Sequence, residues 1–113
     1  EVTGKARIVL DGSGDIDLKM KANELEAELD GSGDIDLTGA TSKLKVSLEG
    51  SGDIDAFNME SLSCEAVLEG SGNVKVFASK TLVATLEGSG DIRYKGEPKV
   101  EANIDGSGSI KAD

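Results

Sequence analysis

The tripeptide Gly-Ser-Gly occurs six times in this chain at nearly constant intervals. The copies occupy residues 12–14, 31–33, 50–52, 70–72, 88–90 and 106–108, so their first glycines are 19, 19, 20, 18 and 18 residues apart. A period of about this length is typical of one coil of a β-solenoid, in which each unit buries its apolar side by stacking on its neighbours. The repeat therefore predicts about six stacked coils. Alignment of the units places the one inserted residue of the longest interval at Leu62.

Apolar and polar residues alternate between the tripeptides. The apolar positions are Ala6, Ile8 and Leu10 in the first unit, then Leu25, Ala27, Leu29, Leu44, Val46, Leu48, Cys64, Ala66, Leu68, Leu82, Ala84, Leu86, Val100, Ala102 and Ile104. A period of two is that of a β-strand with one buried face, whereas a helix needs apolar residues three and four apart and disfavours interior glycine. We therefore predict an all-β fold, a single-stranded parallel β-helix (β-solenoid) of about six coils of 18–20 residues, expected to be right-handed.

The Gly-Ser-Gly tripeptides are predicted to be the bends between coils. The alternation continues through them to Ile16, Ile35 and their equivalents, which places both glycines of each tripeptide inside and the serine outside. We expect glycine at both inward positions because a β-carbon there would collide with the opposite wall of a narrow corner.

The length of the chain fits one domain, and we expect residues 1–113 to form a single β-solenoid domain. Because the sequence begins and ends inside a repeat unit, we expect a fragment or the later half of a longer domain, or a solenoid that associates with another copy end to end or side by side. A single cysteine excludes an internal disulfide.

The charge balance excludes several classes of partner. Twenty-two acidic and twelve basic residues give a net charge of −10, so the surface repels nucleic acid and no nucleic-acid partner is expected. The sequence also lacks the run of about 18 apolar residues that a membrane-spanning helix requires, so we expect no direct membrane insertion.

Stacking of the units aligns acidic residues into three columns beside the bends. The Asp11 column contains Asp11, Asp30, Glu49, Glu69, Glu87 and Asp105; the Asp15 column contains Asp15, Asp34, Asp53, Asn73, Asp91 and Ser109; the Asp17 column contains Asp17, Asp36, Asp55, Lys75, Arg93 and Lys111. Equivalent residues of adjacent coils lie about 4.8 Å apart, so neighbouring carboxylates repel each other.

Two interpretations of the columns remain open. The first is that carboxylates of the Asp11 and Asp15 columns accept the backbone N–H groups of the bends. The second is a calcium site, since calcium prefers several carboxylate oxygens, and the candidate ligands are Asp15, Asp17, Asp34, Asp36, Asp53 and Asp55. The spacing matches neither an EF-hand loop nor the calcium-binding nonapeptide repeat. No other cofactor is indicated.

Catalysis is the rival from a different class, because pectin-cleaving β-helices also gather carboxylates from successive coils for acid–base work. The chain has no histidine and no tryptophan, and it has only three aromatic residues that could stack on a sugar. We therefore expect no enzyme activity. Phe57 and Phe77 align in adjacent units and are expected to touch as an aromatic stack, and Cys64 is expected to be a buried, inert thiol.

The repeated GSGDI bends, together with the closing segment GEPKVEANIDGSGSI, resemble the auto-transporter adhesin head family, also called the GIN-domain family. The resemblance covers nearly the whole chain and corresponds to the repetitive later portion of such domains. It implies an exported bacterial β-helix, periplasmic or on the cell surface, with a structural and adhesive role and no assigned enzyme activity. The implied partners are cell-surface proteins or glycans.

Overall fold

The chain winds from coil to coil as one continuous parallel sheet. The structure is a computed structural model that describes residues 2–112. Its strands are β1 (Val2–Gly12), β2 (Asp15–Gly31), β3 (Asp34–Gly50), β4 (Asp53–Gly70), β5 (Asn73–Gly88), β6 (Asp91–Lys95), β7 (Lys99–Asp105) and β8 (Ser109–Ala112). All pairings are parallel and follow the order β1-β2-β3-β4-β5-β6-β8, while β7 pairs with β5. The predicted all-β parallel solenoid of about six coils is confirmed.

Each of the strands β2 to β5 accounts for nearly one whole coil. They are 16 to 18 residues long and run from just after one Gly-Ser-Gly tripeptide to the first glycine of the next. Equivalent residues of the repeat pair directly, as Leu29 does with Leu48 and Ile35 with Ile54. Stacking like on like lets one apolar row extend through the molecule without a change of side-chain volume.

The interior contains the residues that the alternation of the sequence identified. Leu29, Ile35, Leu48, Leu68 and Leu86 are among the core side chains that are 0 or 1% exposed. In the first coil, Ala6, Ile8 and Leu10 are half-buried against this core. In the last coil, Ile104 is 49% exposed. The inner coils therefore have neighbours on both sides, while the outer coils have a neighbour on one side in this chain.

The two glycines of a bend have different environments, which corrects the prediction that both point inward. Gly50 is exposed and has a φ of +115°, whereas Gly52 is buried. A β-carbon on Gly52 would lie 2.7 Å from Cδ2 of Leu29 inside the coil. A β-carbon on Gly50 would instead meet the carbonyl oxygen of Gly31 in the preceding coil. The first glycine is therefore required by its backbone angle and by the adjacent coil, not by the opposite wall.

The backbone N–H groups at the bends donate to the preceding coil. Ser51 N and Gly52 N both donate to the carbonyl of Gly31 at 3.1 Å, and Asp53 N donates to the carbonyl of Gly33 at 3.1 Å. The same pattern recurs at the later bends. The ladder of hydrogen bonds thus continues around the corner, so these amides do not need side-chain acceptors.

A second corner lies opposite the bends and contains buried hydroxyl groups. Thr41 and Ser61 pair with each other across β3 and β4 and are 7% and 2% exposed. The Ser61 hydroxyl donates to the carbonyl of Phe77, and the Thr41 hydroxyl donates to the carbonyl of Lys43 at 2.9 Å. These bonds satisfy polar groups that would otherwise be buried without partners.

The residue inserted in the third coil lies at this corner, but not at Leu62. Asp36 pairs with Asp55 and Thr38 pairs with Asn58, so Ala56 and Phe57 together oppose a single residue of β3. Beyond this bulge the register of β4 against β3 is regular again, whereas the register of β5 against β4 shifts between Ala56 and Glu60 and again between Ser61 and Ser63. A bulge absorbs an extra residue where the strand already bends, which explains its position.

The strand is interrupted where the fifth coil meets the sixth, between β6 and β7, at residues 96–98. Gly96 has a φ of +95°, and Pro98 has no N–H to donate to the ladder.

Among the described residues, no helix has the length and apolar character needed to cross a membrane.

Candidate functional site

The acidic columns predicted from the repeat are present and in register. Asp15, Asp34 and Asp53 pair in sequence along the Asp15 column, and Asp17, Asp36 and Asp55 pair along the Asp17 column. Both columns continue through the remaining coils with the partners that the alignment predicted. A depression of about 230 Å³ lies over coils two to four, and its lining includes Asp34, Asp36, Asp53 and Asp55.

Side-chain hydrogen bonds link some of these residues. In the Asp15 column, the Asn73 amide donates to Asp53 at 3.2 Å and the Ser109 hydroxyl donates to Asp91 at 2.9 Å. Where Asn73 and Ser109 replace a carboxylate in this column, a hydrogen bond therefore takes the place of a repulsive contact between two aspartates. The column contains both kinds of contact, because its first three members are all aspartates.

The crowding of carboxylates is strongest around Asp36. Desolvation raises the pKa of Asp36 above its ordinary value, and four neighbouring carboxylates raise it further. These neighbours are Asp55, Asp17, Asp34 and Asp15. An aspartate at the centre of such a group is less stable in its ionised form, so it would gain from an approaching cation.

The structure does not assemble these aspartates into a metal site. Across residues 2–112, no group of three or more histidine, cysteine, aspartate or glutamate side chains is arranged to hold a metal ion. The six candidate calcium ligands lie in two rows along paired strands, whereas calcium is usually bound by six to eight oxygens that surround it.

The alternative interpretation, in which carboxylates accept the bend amides, is wrong for the amides whose partners are seen. Those N–H groups donate to glycine carbonyls of the preceding coil, as described above. One carboxylate of the Asp17 column does accept a backbone amide: Asp55 accepts the N–H of Phe57 at 3.1 Å. This bond closes the bulge at Ala56 and Phe57, away from the glycine bend.

The Asp11 column shows the same repulsion on the other side of the bends. Its members pair in register, and the negative charges of Glu49 and Glu87 raise the pKa of Glu69 between them. Because these side chains are fully exposed, solvent screens much of this interaction.

Phe57 and Phe77 do not occupy equivalent positions, contrary to the predicted aromatic stack. Phe77 pairs with Glu60, because the pairing of β4 with β5 passes from Ala56 directly to Glu60 and leaves residues 57–59, including Phe57, without a partner in β5. The Phe57 ring instead contacts two ammonium groups, with Nζ of Lys95 at 4.8 Å and Nζ of Lys75 at 5.8 Å from its centroid. These are cation–π distances.

Cys64 is a buried thiol, as predicted. It is 3% exposed, and burial raises its pKa to about 12, with a smaller contribution from Glu65. A thiol in this state is mostly protonated at neutral pH and is a poor nucleophile.

A groove that the sequence analysis did not identify crosses five coils on another face. We call it the charged groove; it has a volume of about 560 Å³. Its outward lining residues are Lys5, Arg7, Glu24, Glu26, Lys43, Lys45, Ser63, Glu65, Thr81 and Val83. The signal was available in the sequence, because these positions are basic in the first unit, acidic in the second and basic in the third.

Ion pairs join the rungs of the charged groove, where a rung is the set of outward lining residues that one coil contributes. Lys5 and Lys43 lie 3.4 and 3.8 Å from the two carboxylate oxygens of Glu24. Arg7 lies 3.6 Å from Glu26 and donates a 3.1 Å hydrogen bond to Glu28, which lowers the pKa of Glu28. The acidic rung is thus held between two basic rungs.

Solved structures of similar proteins share this fold. A protein from Parabacteroides distasonis described as a "Putative lipid binding protein" is 28% identical, with a TM-score of 0.87 over 99% of this chain and 57% of its own. A "putative adhesin" from Bacteroides fragilis is also 28% identical, with a TM-score of 0.85 over 97% of this chain and 53% of its own. The chain therefore spans little more than half the length of these relatives.

Comparison with curated proteins found no significant match. The family model described as "Putative auto-transporter adhesin, head GIN domain" matches residues 2–98, which is most of the chain. The six in-register bends and the parallel solenoid agree with that match. This protein belongs to the auto-transporter adhesin head GIN-domain family.

Proposed function

We propose that this chain is an exported, non-catalytic β-helical module that binds glycoproteins of a cell surface through the charged groove. The observation that carries the proposal is the groove itself, which extends over five coils and has about 560 Å³ of open volume. Export is supported by membership of an auto-transporter adhesin family.

The chemistry of the charged groove suits a polar, hydroxyl-rich ligand. In its first three coils the groove offers ammonium, guanidinium and carboxylate groups, and in its last two coils it offers two hydroxyls, the Glu65 carboxylate and one apolar side chain, Val83. The Thr81 hydroxyl donates to the Ser63 hydroxyl at 3.0 Å, so the Ser63 O–H and a lone pair on each oxygen remain for a ligand. A glycan or a glycosylated peptide requires hydrogen-bond donors and acceptors, and the charged groove offers both charged groups and neutral hydroxyls for this purpose.

The groove is also positioned by a rigid element. Its lining residues lie on paired strands whose inward neighbours, such as Leu25 and Leu44, are only 2% and 1% exposed. A preformed surface loses little conformational entropy on binding. The ion pairs within it are exposed and screened by solvent, so they contribute little to stability and a ligand can replace them at small cost.

The carboxylates support a binding role better than a catalytic one. Acid–base hydrolysis needs two carboxyl groups whose surroundings separate their pKa values, one neutral and one ionised. The Asp15 and Asp17 columns instead stack aspartates in register at equivalent positions of successive coils. The absence of histidine removes the commonest general base.

The lipid-binding description of one similar structure defines a competing outcome. In this chain the interior is filled by side chains, many of them 0% exposed, so a lipid would have to bind outside the coil. A net charge of −10 also disfavours anionic membranes. Zwitterionic phosphatidylcholine vesicles are therefore the appropriate lipid probe.

The test couples the purified chain to fluorescent beads and measures bead retention on mucin-coated surfaces. The groove variant Lys43→Glu/Lys45→Glu should lose retention, while Lys19→Glu/Lys80→Glu, which makes the same charge change outside the groove, should keep it. Removal of the mucin glycans distinguishes a glycan partner from the protein backbone. Bead retention that is unchanged in the groove variant, or binding to the vesicles and not to mucin, would contradict the proposal.

A further inference from the structure

The Asp17 column changes sign at the middle of the stack. Its first three members, Asp17, Asp36 and Asp55, are acidic and pair with one another in sequence. Asp55 pairs next with Lys75, and the column continues through Arg93 and Lys111. Three negative charges are thus followed by three positive charges along one straight line.

The cationic half of this column has no carboxylate partner in the described part of the chain. The ion pairs found within residues 2–112 all involve Lys5, Arg7 or Lys43, on the face of the charged groove. Lys75 contacts the Phe57 ring and, in the described part of the chain, makes no ion pair with a carboxylate. Arg93 and Lys111 are exposed.

The acidic half of the column contains carboxylates that repel one another and that a cation would stabilise. Asp36 is exposed and has carboxylates of its own column on both sides. The raised pKa of Asp36 reflects this crowding as well as desolvation. A guanidinium or ammonium group placed over Asp36 would remove the repulsion that the neighbouring coils impose.

We propose that two copies of this chain associate face to face through the Asp17 column, with their stacks antiparallel. A two-fold axis parallel to the strands, between the third and fourth coils, places coil one over coil six, coil two over coil five and coil three over coil four. Every position of the column then meets the opposite charge. Asp17 faces the partner's Lys111, Asp36 faces the partner's Arg93, and Asp55 faces the partner's Lys75.

The alternative orientation is excluded by the same charges. If the two stacks were parallel and in register, aspartate would face aspartate in three coils and cation would face cation in the other three. Like charges in direct opposition are destabilising across strands and between partners. The sign change at the middle therefore specifies an isologous, antiparallel pair.

The neighbouring Asp15 column limits the strength of this association. On the same axis Asp53 faces the partner's Asn73, which can donate to it, but Asp34 faces the partner's Asp91. The footprint is also small: six coils at about 4.8 Å and five residues at about 3.3 Å give roughly 480 Å² per copy, which is the size of a weak, transient interface. We therefore expect dissociation constants in the range from about 0.1 to 1 mM.

The net charge of each copy opposes association only at a distance. At physiological ionic strength the Debye length is about 8 Å, so repulsion between the bodies of two copies is largely screened while charges in contact still interact. The association is therefore to be measured at about 0.15 M salt rather than at low salt.

The test uses charge reversal with cross-complementation, read by sedimentation equilibrium of the 113-residue chain. Asp36→Arg alone and Arg93→Glu alone should each weaken self-association by at least about tenfold, since each places like charges in contact twice across the two-fold axis. An equimolar mixture of the two variants should associate again, because every reversed charge then meets its complement. Circular dichroism checks that each variant remains folded.

Glu65→Arg and Lys80→Glu make the same changes in net charge outside the Asp17 column and should leave association unchanged. The groove variant Lys43→Glu/Lys45→Glu should also leave it unchanged, so failure of the proposed groove function and failure of this dimer are separable. A wild-type chain that stays monomeric at millimolar concentration would overturn the proposal. The proposal would also be overturned if the mixture of Asp36→Arg and Arg93→Glu associated no more tightly than either variant alone, or if neither charge reversal changed the dissociation constant of the dimer.

Discussion

A β-carbon placed on Gly50 would lie 2.5 Å from the carbonyl oxygen of Gly31, its partner in the preceding coil. That same oxygen accepts the N–H groups of Ser51 and Gly52. From the second bend onward, the first glycine of the bend therefore permits two things at once, a positive φ and the close approach of adjacent coils at the corner. A larger residue would separate the coils where their hydrogen bonds turn.

Three glycine-to-alanine changes separate these two requirements. Gly50→Ala meets both a φ of +115° and the Gly31 carbonyl, Gly12→Ala meets a φ of +111° with no atom within 4 Å, and Gly4→Ala meets neither. We expect the loss of stability to follow that order, with Gly50→Ala costing at least about 2 kcal/mol. Urea unfolding followed by circular dichroism measures it. Equal losses at Gly50 and Gly12 would show that the backbone angle alone matters.

The buried hydroxyl of Ser61 should contribute measurably to stability. Ser61→Ala removes its hydrogen bond to the carbonyl of Phe77 at a site only 2% exposed, so we expect a loss of about 1 kcal/mol. Ser51→Ala, at an exposed bend, is the matched control and should be nearly neutral. A neutral Ser61→Ala in the same unfolding assay would mean that water replaces the hydroxyl at that carbonyl.

Cys64 should react with a thiol reagent only after unfolding. Its 3% exposure and its pKa of about 12 both suppress the thiolate in the native state. Ellman's reagent at pH 8, with and without denaturant, measures the difference. Ser51→Cys adds an exposed thiol as the positive control, and rapid modification of native Cys64 would contradict the assigned inward orientation.

The raised pKa of Asp36 predicts the sign of one part of the pH dependence. An acid whose folded pKa exceeds its unfolded pKa binds protons more tightly when folded, so its ionisation lowers stability as pH rises from the ordinary value of about 3.9 through the folded pKa. Asp36→Asn removes this loss and should raise the melting temperature at pH 7 but not below pH 3. Glu97→Gln, at an exposed position outside the columns, is the control. A variant that melts lower than wild type at pH 7 would show that the Asp36 charge is stabilising.

Calcium should stabilise the chain no more than magnesium does. The described residues contain no arrangement suited to a metal ion, so both divalent cations should only screen the acidic columns. Melting temperatures with either ion at matched ionic strength test this, with Asp34→Asn/Asp36→Asn as the comparison. A calcium-selective rise that the double substitution abolishes would identify a true site, through its preferential binding to the folded state.

The repeat predicted the solenoid because its information is local and periodic. Alternation of apolar and polar residues determines which side of a strand is buried, and this held from Leu25 to Ile92. Constant spacing of the bends then aligned Asp36 with Asp55 and Cys64 with Leu44, so the columns and the buried thiol followed from counting alone.

What the tertiary structure decided depends on contacts between coils. Whether a bend amide donates to a nearby carboxylate or to a glycine carbonyl one coil away is a matter of long-range register, and the backbone ladder prevailed. The same register placed the inserted residue at Ala56 and Phe57, where a bulge fits the corner, rather than at Leu62. The sequence by itself determined the period, the buried face and the order of charges along each column. Only the packing of one coil on the next decided the outward orientation of Gly50, the displacement of Phe57 and the charged groove, because each of these requires a neighbour that is distant in sequence.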